Sequence, residues 1–245
     1  MEKNTNTGVH QADPESSLLL RKSEEYPPHS KDIQVVSPAV VKRLPRYFRF
    51  LRELLDMDIL RISSRELSAK MHVTASQIRQ DLNCFGGFGQ QGYGYNVRLL
   101  YAKIGELLAV TQNYSAILIG AGHLGCAIAS SALLSDRNVR LLALFDTDPA
   151  RIGQTVSGFS VKDAETLPQF LCDTGADIAI LTLPAEAAAR AADRLADLGI
   201  RGIWNFSGSE LTSEKTDLAI ENVHLDDSLM RLMYHIRIGH SGDEA

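Results

Sequence analysis

The sequence predicts an α/β chain in which a helix-turn-helix segment precedes a doubly wound parallel sheet and a closing helix. Three observations predict it. A branched apolar run, Ile117-Leu118-Ile119, leads straight into glycines at 120, 122 and 125. Further apolar runs alternate with helical stretches through the second half of the chain, the pattern of a parallel sheet with crossover helices. Between residues 63 and 85 two short helical segments meet at a tight connection, and a glycine-rich stretch interleaved with aromatics follows.

With 245 residues the chain is long enough for two domains and a true core. It is 44% hydrophobic, yet no apolar run approaches the ~20 residues that a spanning helix needs. The N-terminus lacks the apolar centre of a secretory signal. The expected location is the cytoplasm, with no membrane partner. Cys84, Cys126 and Cys172 are widely spaced and odd in number, which fits a reducing compartment and points to neither a disulfide framework nor a metal site. The net charge of −5 is unevenly spread. Residues 37–98 hold ten Lys/Arg against five Asp/Glu, a balance of +5, whereas residues 1–36 and 99–245 carry −2 and −8. A basic segment on an acidic body suggests an anionic polymer at one end. A balance of +5 is modest, so charge alone favours nucleic acid only slightly over a solvated surface.

Residues 1–36 are polar and, beyond Leu18-Leu19-Leu20, aperiodic; they read as a disordered extension. Ser37-Pro38 has the form of an N-cap with proline at the first helical position. From there to about residue 56, Val40, Val41, Leu44, Tyr47, Phe48, Leu51, Leu54 and Leu55 recur at helical steps, with Arg46 among the basic residues elsewhere. Pro45 should kink this helix or split it. Ser63-Ser64 opens a second helix with Leu67 and Met71 inward. After His72-Val73, the segment Thr74-Ala-Ser-Gln77 matches a capping box and starts a third helix, with Ile78, Leu82 and Phe85 on one face. Ser76, Gln77, Arg79, Gln80 and Asn83 fall largely elsewhere, where a recognition helix meets base edges. A small bundle with a wet polar face is the alternative. The five glycines of residues 86–95 suit a tight hairpin. Such a hairpin makes a winged-helix domain of residues 37–96, with Gln90, Gln91 and Tyr93 at the wing tip; a glycine linker is the alternative.

Asn96 is placed to cap a helix over 97–110 that leads into the central strand. In Gly120-Ala121-Gly122-His123-Leu124-Gly125 the glycines have separate tasks: Gly120 for the tight turn, Gly122 for close approach of a pyrophosphate, and Gly125 for packing of the following helix, read as 124–134. The phosphates would lie on the open N–H groups of that helix. A second strand, 139–145, ends on Asp146, 21 residues after Gly125, where an acidic residue receives the adenosine ribose hydroxyls and repels a 2′-phosphate. This Rossmann pattern predicts NAD(H). A glycine turn that binds nothing, or one that binds CoA, is the alternative.

A weak strand near 156–161, a buried strand at 176–181, an alanine-rich helix at 185–198 and short strands at 202–206 and 218–223 complete the sheet, so residues 97–223 form this domain. Ligands of such sheets lie beyond the strand carboxyl ends, which puts Thr182, Pro184, Asn205 and Phe206 around the nicotinamide half. Residues 224–245 supply a last helix with Leu225, Leu229, Leu232, Met233 and Ile236 on one face. A dehydrogenase would need a proton donor and substrate clamp. No Tyr-x-x-x-Lys is present, and Glu186 and Arg190 do not make an acid–base pair, so the chain reads as a non-enzyme.

Taken together, Gln77-Ile-Arg-Gln-Asp-Leu82, Phe85-Gly-Gly-Phe-Gly-Gln-Gln-Gly-Tyr-Gly-Tyr95, Gly120-Ala-Gly-His-Leu-Gly125, Phe145-Asp-Thr-Asp-Pro149 and Glu221-Asn-Val223 resemble the Rex family of redox-sensing transcriptional repressors. The resemblance runs in order from residue 37 to 238. It implies a cytoplasmic homodimer whose winged helices bind palindromic operator DNA and whose Rossmann domains sense NADH against NAD⁺. It also implies exchange of the C-terminal helix between subunits, the pyrophosphate role for residues 120–125 and the ribose role for Asp146. In one position the chain departs: the family usually carries Lys where this sequence has Gln80. An amide suits adenine N6/N7, whereas a cation reaches guanine O6/N7, so the operator preference is not carried over with the resemblance.

Overall fold

The computed structural model describes residues 36–84, 89–90 and 94–240. They divide into two compact units, one of residues up to Arg43 together with Ile62–Tyr95, the other of Leu44–Arg61 and Asn96 onward.

In the first unit, helix α1 (Pro38–Val41) is a single turn behind the Ser37 N-cap. The helix expected to continue is split as Pro45 requires, and α2 (Leu44–Asp56) restarts it with that proline in its first turn, where no N–H is needed. By its contacts α2 groups with the second unit, where Phe48 stacks on Tyr101 with ring centroids 4.4 Å apart. Helix α3 (Ser64–Met71) opens on a full capping box: Ser63 Oγ accepts from Glu66 N, and a Glu66 carboxylate oxygen accepts from Ser63 N. His72 ends it in the left-handed conformation, φ +50°. Helix α4 (Ala75–Asn83) begins with only half of the expected box. Thr74 Oγ1 accepts from Gln77 N at 3.1 Å, but the Gln77 side chain turns to Asp81 instead. Ile78 and Leu82 are buried as expected; Phe85 lies outside the described residues.

The glycine-rich stretch does form a hairpin. Strand β2 (Gly89–Gln90) pairs antiparallel with β3 (Gly94–Asn96), and β3 also pairs with the two-residue β1 (Arg61–Ile62). Gly94 has φ +71°, and a Cβ there would lie 2.6 Å from the Ile62 carbonyl oxygen. Only glycine satisfies both demands. A hairpin after two such helices is a winged helix.

The second unit carries a seven-stranded sheet. Helix α5 (Val97–Leu107), capped by Asn96 accepting from Leu99 N, leads into β4 (Tyr114–Ile119). Then come α6 (His123–Ser130), β5 (Val139–Asp146), β6 (Thr155–Val156), β7 (Phe159–Asp163), α7 (Leu167–Thr174), β8 (Ile178–Leu181), α8 (Ala185–Asp197), β9 (Gly202–Asn205), β10 (Ala219–Asn222) and α9 (Leu225–His240). The spatial order is β10-β9-β8-β4-β5-β7-β6, parallel except for β6. Alternation along β4 feeds two cores: Ile117 and Ile119 join one with Leu171, Ala188 and Leu195, while Ala116 and Leu118 join the other with Ile128 and Leu144.

Two expectations are corrected, and one helix lies where none is expected. The helix read as 124–134 stops at Ser130, where Ser131 is extended and its hydroxyl donates to the Ile128 carbonyl, the competition by which serine ends helices. The weak strand near 156–161 is a β6–β7 hairpin turning through Ser157 and Gly158, both with positive φ. Helix α7 was not anticipated at all: its eight residues are too few to display a clear period.

Candidate dinucleotide-binding and nucleic-acid sites

Strands β4 and β8 run side by side, but the chain leaves β4 toward β5 and returns to β8 on the other side. That reversal opens a crevice at the strand carboxyl ends, where open α/β sheets bind ligands. The residues after β4 line it. Gly120 has φ +102°, and a Cβ on it would lie 2.7 Å from the Thr182 carbonyl oxygen. A Cβ on Gly125 would lie 2.1 Å from the Gly120 carbonyl oxygen and 2.8 Å from Thr182 Oγ1. Gly122 differs: its Cβ would meet only the end of the Arg151 side chain, at 3.3 Å. Two of the glycines thus serve the packing of the turn, and the third leaves a surface open to a ligand. Gly122 is the N-cap of α6 and offers no side-chain cap, so the first N–H groups of the helix face that surface unpaired within the helix. His123 and Leu124 are exposed beside it, and Ala121 is buried.

Asp146 ends β5 at the same rim and is 7% exposed. Its Oδ2 accepts from Ala121 N at 2.7 Å and from Arg151 Nη1 at 3.2 Å, and its Oδ1 accepts from Asp148 N at 2.9 Å. Burial pushes this carboxyl up, but the bonds from the Asp148 and Ala121 amides and from Arg151 outweigh it and hold the group below the ordinary carboxylate range. It is an anion at neutral pH. Thr182, after β8, donates to the Gly120 carbonyl at 2.6 Å, so its hydroxyl shapes the glycine turn. Pro184 precedes α8 at its N-cap. Asn205 is buried, and its side chain serves the following loop: Nδ2 donates to the Ser209 carbonyl and to Asn222 Oδ1, and Oδ1 accepts from Ser207 N. Phe206 meets Trp204 edge to face at 4.6 Å. Gly120, Asp146, Thr182, Asn205 and Phe206 thus stand at or just past the carboxyl ends of neighbouring strands, and Gly125 lies in the first turn of α6, packed on Gly120.

On α4, Ser76, Arg79, Gln80 and Asn83 are exposed. Arg79 leans on α3, Nη1 donating to Ser64 Oγ at 3.2 Å. Gln77 is half-buried, and its Nε2 donates to Asp81 Oδ1 at 2.8 Å. Arg46 is exposed on α2. Gln90 lies in β2, whereas Gln91 and Tyr93 lie outside the described residues.

Residues 35–83 match the family described as "Putative DNA-binding protein N-terminus", and residues 111–208 match the "CoA binding domain" family. The redox-sensing transcriptional repressor Rex of Caldicellulosiruptor bescii is 45% identical over 201 residues, 82% of this chain and 92% of its own. That of Thermoanaerobacter sp. strain X514 is 50% identical over 202 residues, 82% and 90%. The chain belongs to the Rex family of redox-sensing transcriptional repressors.

Two solved structures of the Rex-family repressor RSP superpose on it with TM-score 0.77. One, in complex with β-NAD⁺ and operator DNA, is 47% identical and covers 86% of this chain and 99% of its own. The other, in complex with β-NADH, is 45% identical and covers 86% and 98%. The Rex relatives are named as repressors and not as enzymes. The CoA-binding description spans the glycine turn and Asp146, so it marks the same nucleotide-binding sheet. Two residues of this Rex-family chain escaped the sequence reading. Asp81, buried under α4, had only its place in Gln77–Leu82 to mark it, and Arg151 had only its place five residues after Asp146.

Proposed function

We propose that the chain represses transcription as a homodimer that holds a palindromic operator and lets go when NADH fills the crevice beside Gly122. The observation that carries this reading is the Gly122 surface beside the Arg151–Asp146 pair, in a chain 45–47% identical to repressors solved with NAD⁺, NADH and operator DNA. In it residues 120–125 take the diphosphate and Asp146 takes the adenosine ribose. Thr182, Pro184, Asn205 and Phe206 frame the nicotinamide end, Thr182 and Asn205 through the loops they shape. Residues 37–96 act as the DNA-binding domain. Ser76, Arg79, Gln80 and Asn83 of α4, with Arg46, Gln90, Gln91 and Tyr93, meet the duplex, and Gln77 contributes mainly through Asp81. Residues 97–223 are the sensor and 224–245 the exchanged helix and tail.

The side chains of α9 support the dimer. Leu225, Leu229, Leu232, Met233 and Ile236 are each more than half exposed in the single chain, and an isolated helix of this length is marginal in water. A second copy that received this helix would cover it. The work of the protein belongs in the cytoplasm, and among the described residues no helix is long and apolar enough to cross a membrane. No metal enters the mechanism.

Redox sensing requires that the two nucleotides bind the DNA-competent and released states unequally. NAD⁺ and NADH differ by one charge at the nicotinamide ring, and a desolvated pocket favours the neutral ring. A coupling of roughly 1–3 kcal/mol changes operator affinity about 5- to 150-fold. Fluorescence anisotropy on a labelled palindromic operator tests this: NADH should release the DNA at concentrations where NAD⁺ has little effect. Equal operator affinity with saturating NADH and with no nucleotide would refute it.

A further inference from the structure

We propose that Arg151 is itself a dinucleotide-binding residue, one that exchanges the Asp146 carboxylate for the ligand's diphosphate as the crevice fills. The inference rests on the dinucleotide reading above and adds a residue and a movement to it.

The starting point is the number of bonds Asp146 can accept. A carboxylate offers about four lone-pair positions. In the structure three are engaged: Oδ2 by the Ala121 amide and by Arg151 Nη1, Oδ1 by the Asp148 amide. A ribose diol brings two donors, and only one position remains for them. One bond must therefore be released. The Ala121 and Asp148 donors are backbone groups at 2.7 and 2.9 Å that fix the turn and the strand end. The Arg151 bond is the longest of the three, at 3.2 Å, and comes from a flexible side chain that is 41% exposed. Arg151 is the donor that leaves.

Its destination is set by what lies within reach. Nη1 is 3.3 Å from where a Cβ on Gly122 would sit, the surface that a diphosphate crosses. Arg151 Nε also lies 3.5 Å from Asp148 Oδ2, so the guanidinium stays tethered at the rim after it leaves Asp146. With the diphosphate in place, two carboxylates and two phosphate charges would crowd this corner without it. A planar guanidinium donates to two phosphate oxygens at once, which an ammonium does not.

The test compares the full-length wild type with Arg151→Ala and Arg151→Lys in calorimetric titrations with NADH, ADP-ribose and adenosine. Arg151→Ala should weaken NADH and ADP-ribose by about ten-fold or more, the effect of losing a charged hydrogen-bond partner, with Arg151→Lys intermediate. Adenosine, which has the diol but no phosphate, should bind the Ala variant as well as the wild type or better. Unchanged or tighter ADP-ribose binding in a normally melting Arg151→Ala would overturn the inference and leave Arg151 as a cover for Asp146. An equal loss for adenosine would also overturn it, since the contact would then lie on the nucleoside. Failure of the wild type to bind NADH or ADP-ribose would instead remove the dinucleotide reading itself.

Discussion

Arg43 and Asp81 are joined by a two-bonded ion pair, with Nε donating to Oδ2 at 2.7 Å and Nη2 to Oδ1 at 2.6 Å, and the Asp81 side chain is wholly buried. Gln77 donates to the same Oδ1. The pair ties the segment after α1 to the inner face of α4, and it holds one polar residue of α4 away from solvent. Removing one partner of a buried pair leaves the other uncompensated, at about 3–5 kcal/mol. Arg43→Ala should therefore destabilise the chain by about 3 kcal/mol, the lower end because Arg43 is partly exposed. Operator affinity should fall with it, while NADH titrations below the melting point stay unchanged. Denaturant unfolding measures this, and a loss well under 1 kcal/mol would mean that the pair contributes little.

The glycine turn separates two substitutions that look equivalent in sequence. Gly125→Ala drives a methyl to 2.1 Å from a backbone oxygen, so the turn or the helix start must shift, an overpacking cost of typically 1–3 kcal/mol. Both the melting temperature and NADH binding should fall. Gly122→Ala meets only a mobile arginine end and sits at an ordinary φ of −73°. It should melt within about 0.5 kcal/mol of the wild type, yet lose most NADH affinity, because the methyl stands where the diphosphate passes. Thermal melts beside NADH titrations of both variants decide the matter, and a Gly122→Ala chain that binds NADH normally would place the diphosphate elsewhere.

These contrasts mark how far the sequence could be read. The β4 run, the glycine spacing and Asp146 were legible because each is forced by a local requirement: a buried strand, a turn with positive φ, a carboxylate at a strand end. Pro45 was legible for the same reason. What stayed hidden depends on partners distant in the chain. Asp81 lies between Gln80 and Leu82 with nothing local to show that Arg43, 38 residues earlier, meets it. Thr182 and Asn205 were placed correctly at strand ends, yet their hydrogen bonds to Gly120, Ser209 and Asn222 could not be foreseen from spacing. The end of α6 at Ser130 reflects a side-chain bond by Ser131 that the apolar residues beyond it concealed.

His224 lies between β10 and α9, and its Nε2 is 2.9 Å from Glu210 Oε2. That bond, against a smaller desolvation and aided by the fields of Asp227, Glu210 and Asp226, raises the imidazole above its ordinary value. A raised folded value means that the stabilisation is complete below the unfolded pKa of about 6.5 and is lost as pH rises through the folded value. The His224–Glu210 contact ahead of α9 should therefore weaken as pH rises from about 6.5 through the folded value, and Glu210→Gln should reduce that dependence to what the Asp227 and Asp226 fields sustain. An NMR titration of His224 gives the check: the same midpoint in wild type and Glu210→Gln would show that the pair does not hold the proton.

The apolar face of α9 yields the sharpest test of assembly. Fully burying a leucine or methionine side chain contributes about 1.5–3 kcal/mol, so five such residues are a substantial drive for a helix that buries none of them in its own chain. A glutamate at Leu232, near the helix centre, would bring an unpaired charge into any surface that received it. Leu232→Glu should leave each chain folded but shift it to monomer in sedimentation velocity at micromolar concentration. Because the two half-sites of a palindrome must be held by one symmetric dimer, operator binding should fall by orders of magnitude, while a single half-site is bound as weakly as before. If Leu232→Glu remains a dimer with full operator affinity, the subunits meet through another surface and α9 must be covered in some other way.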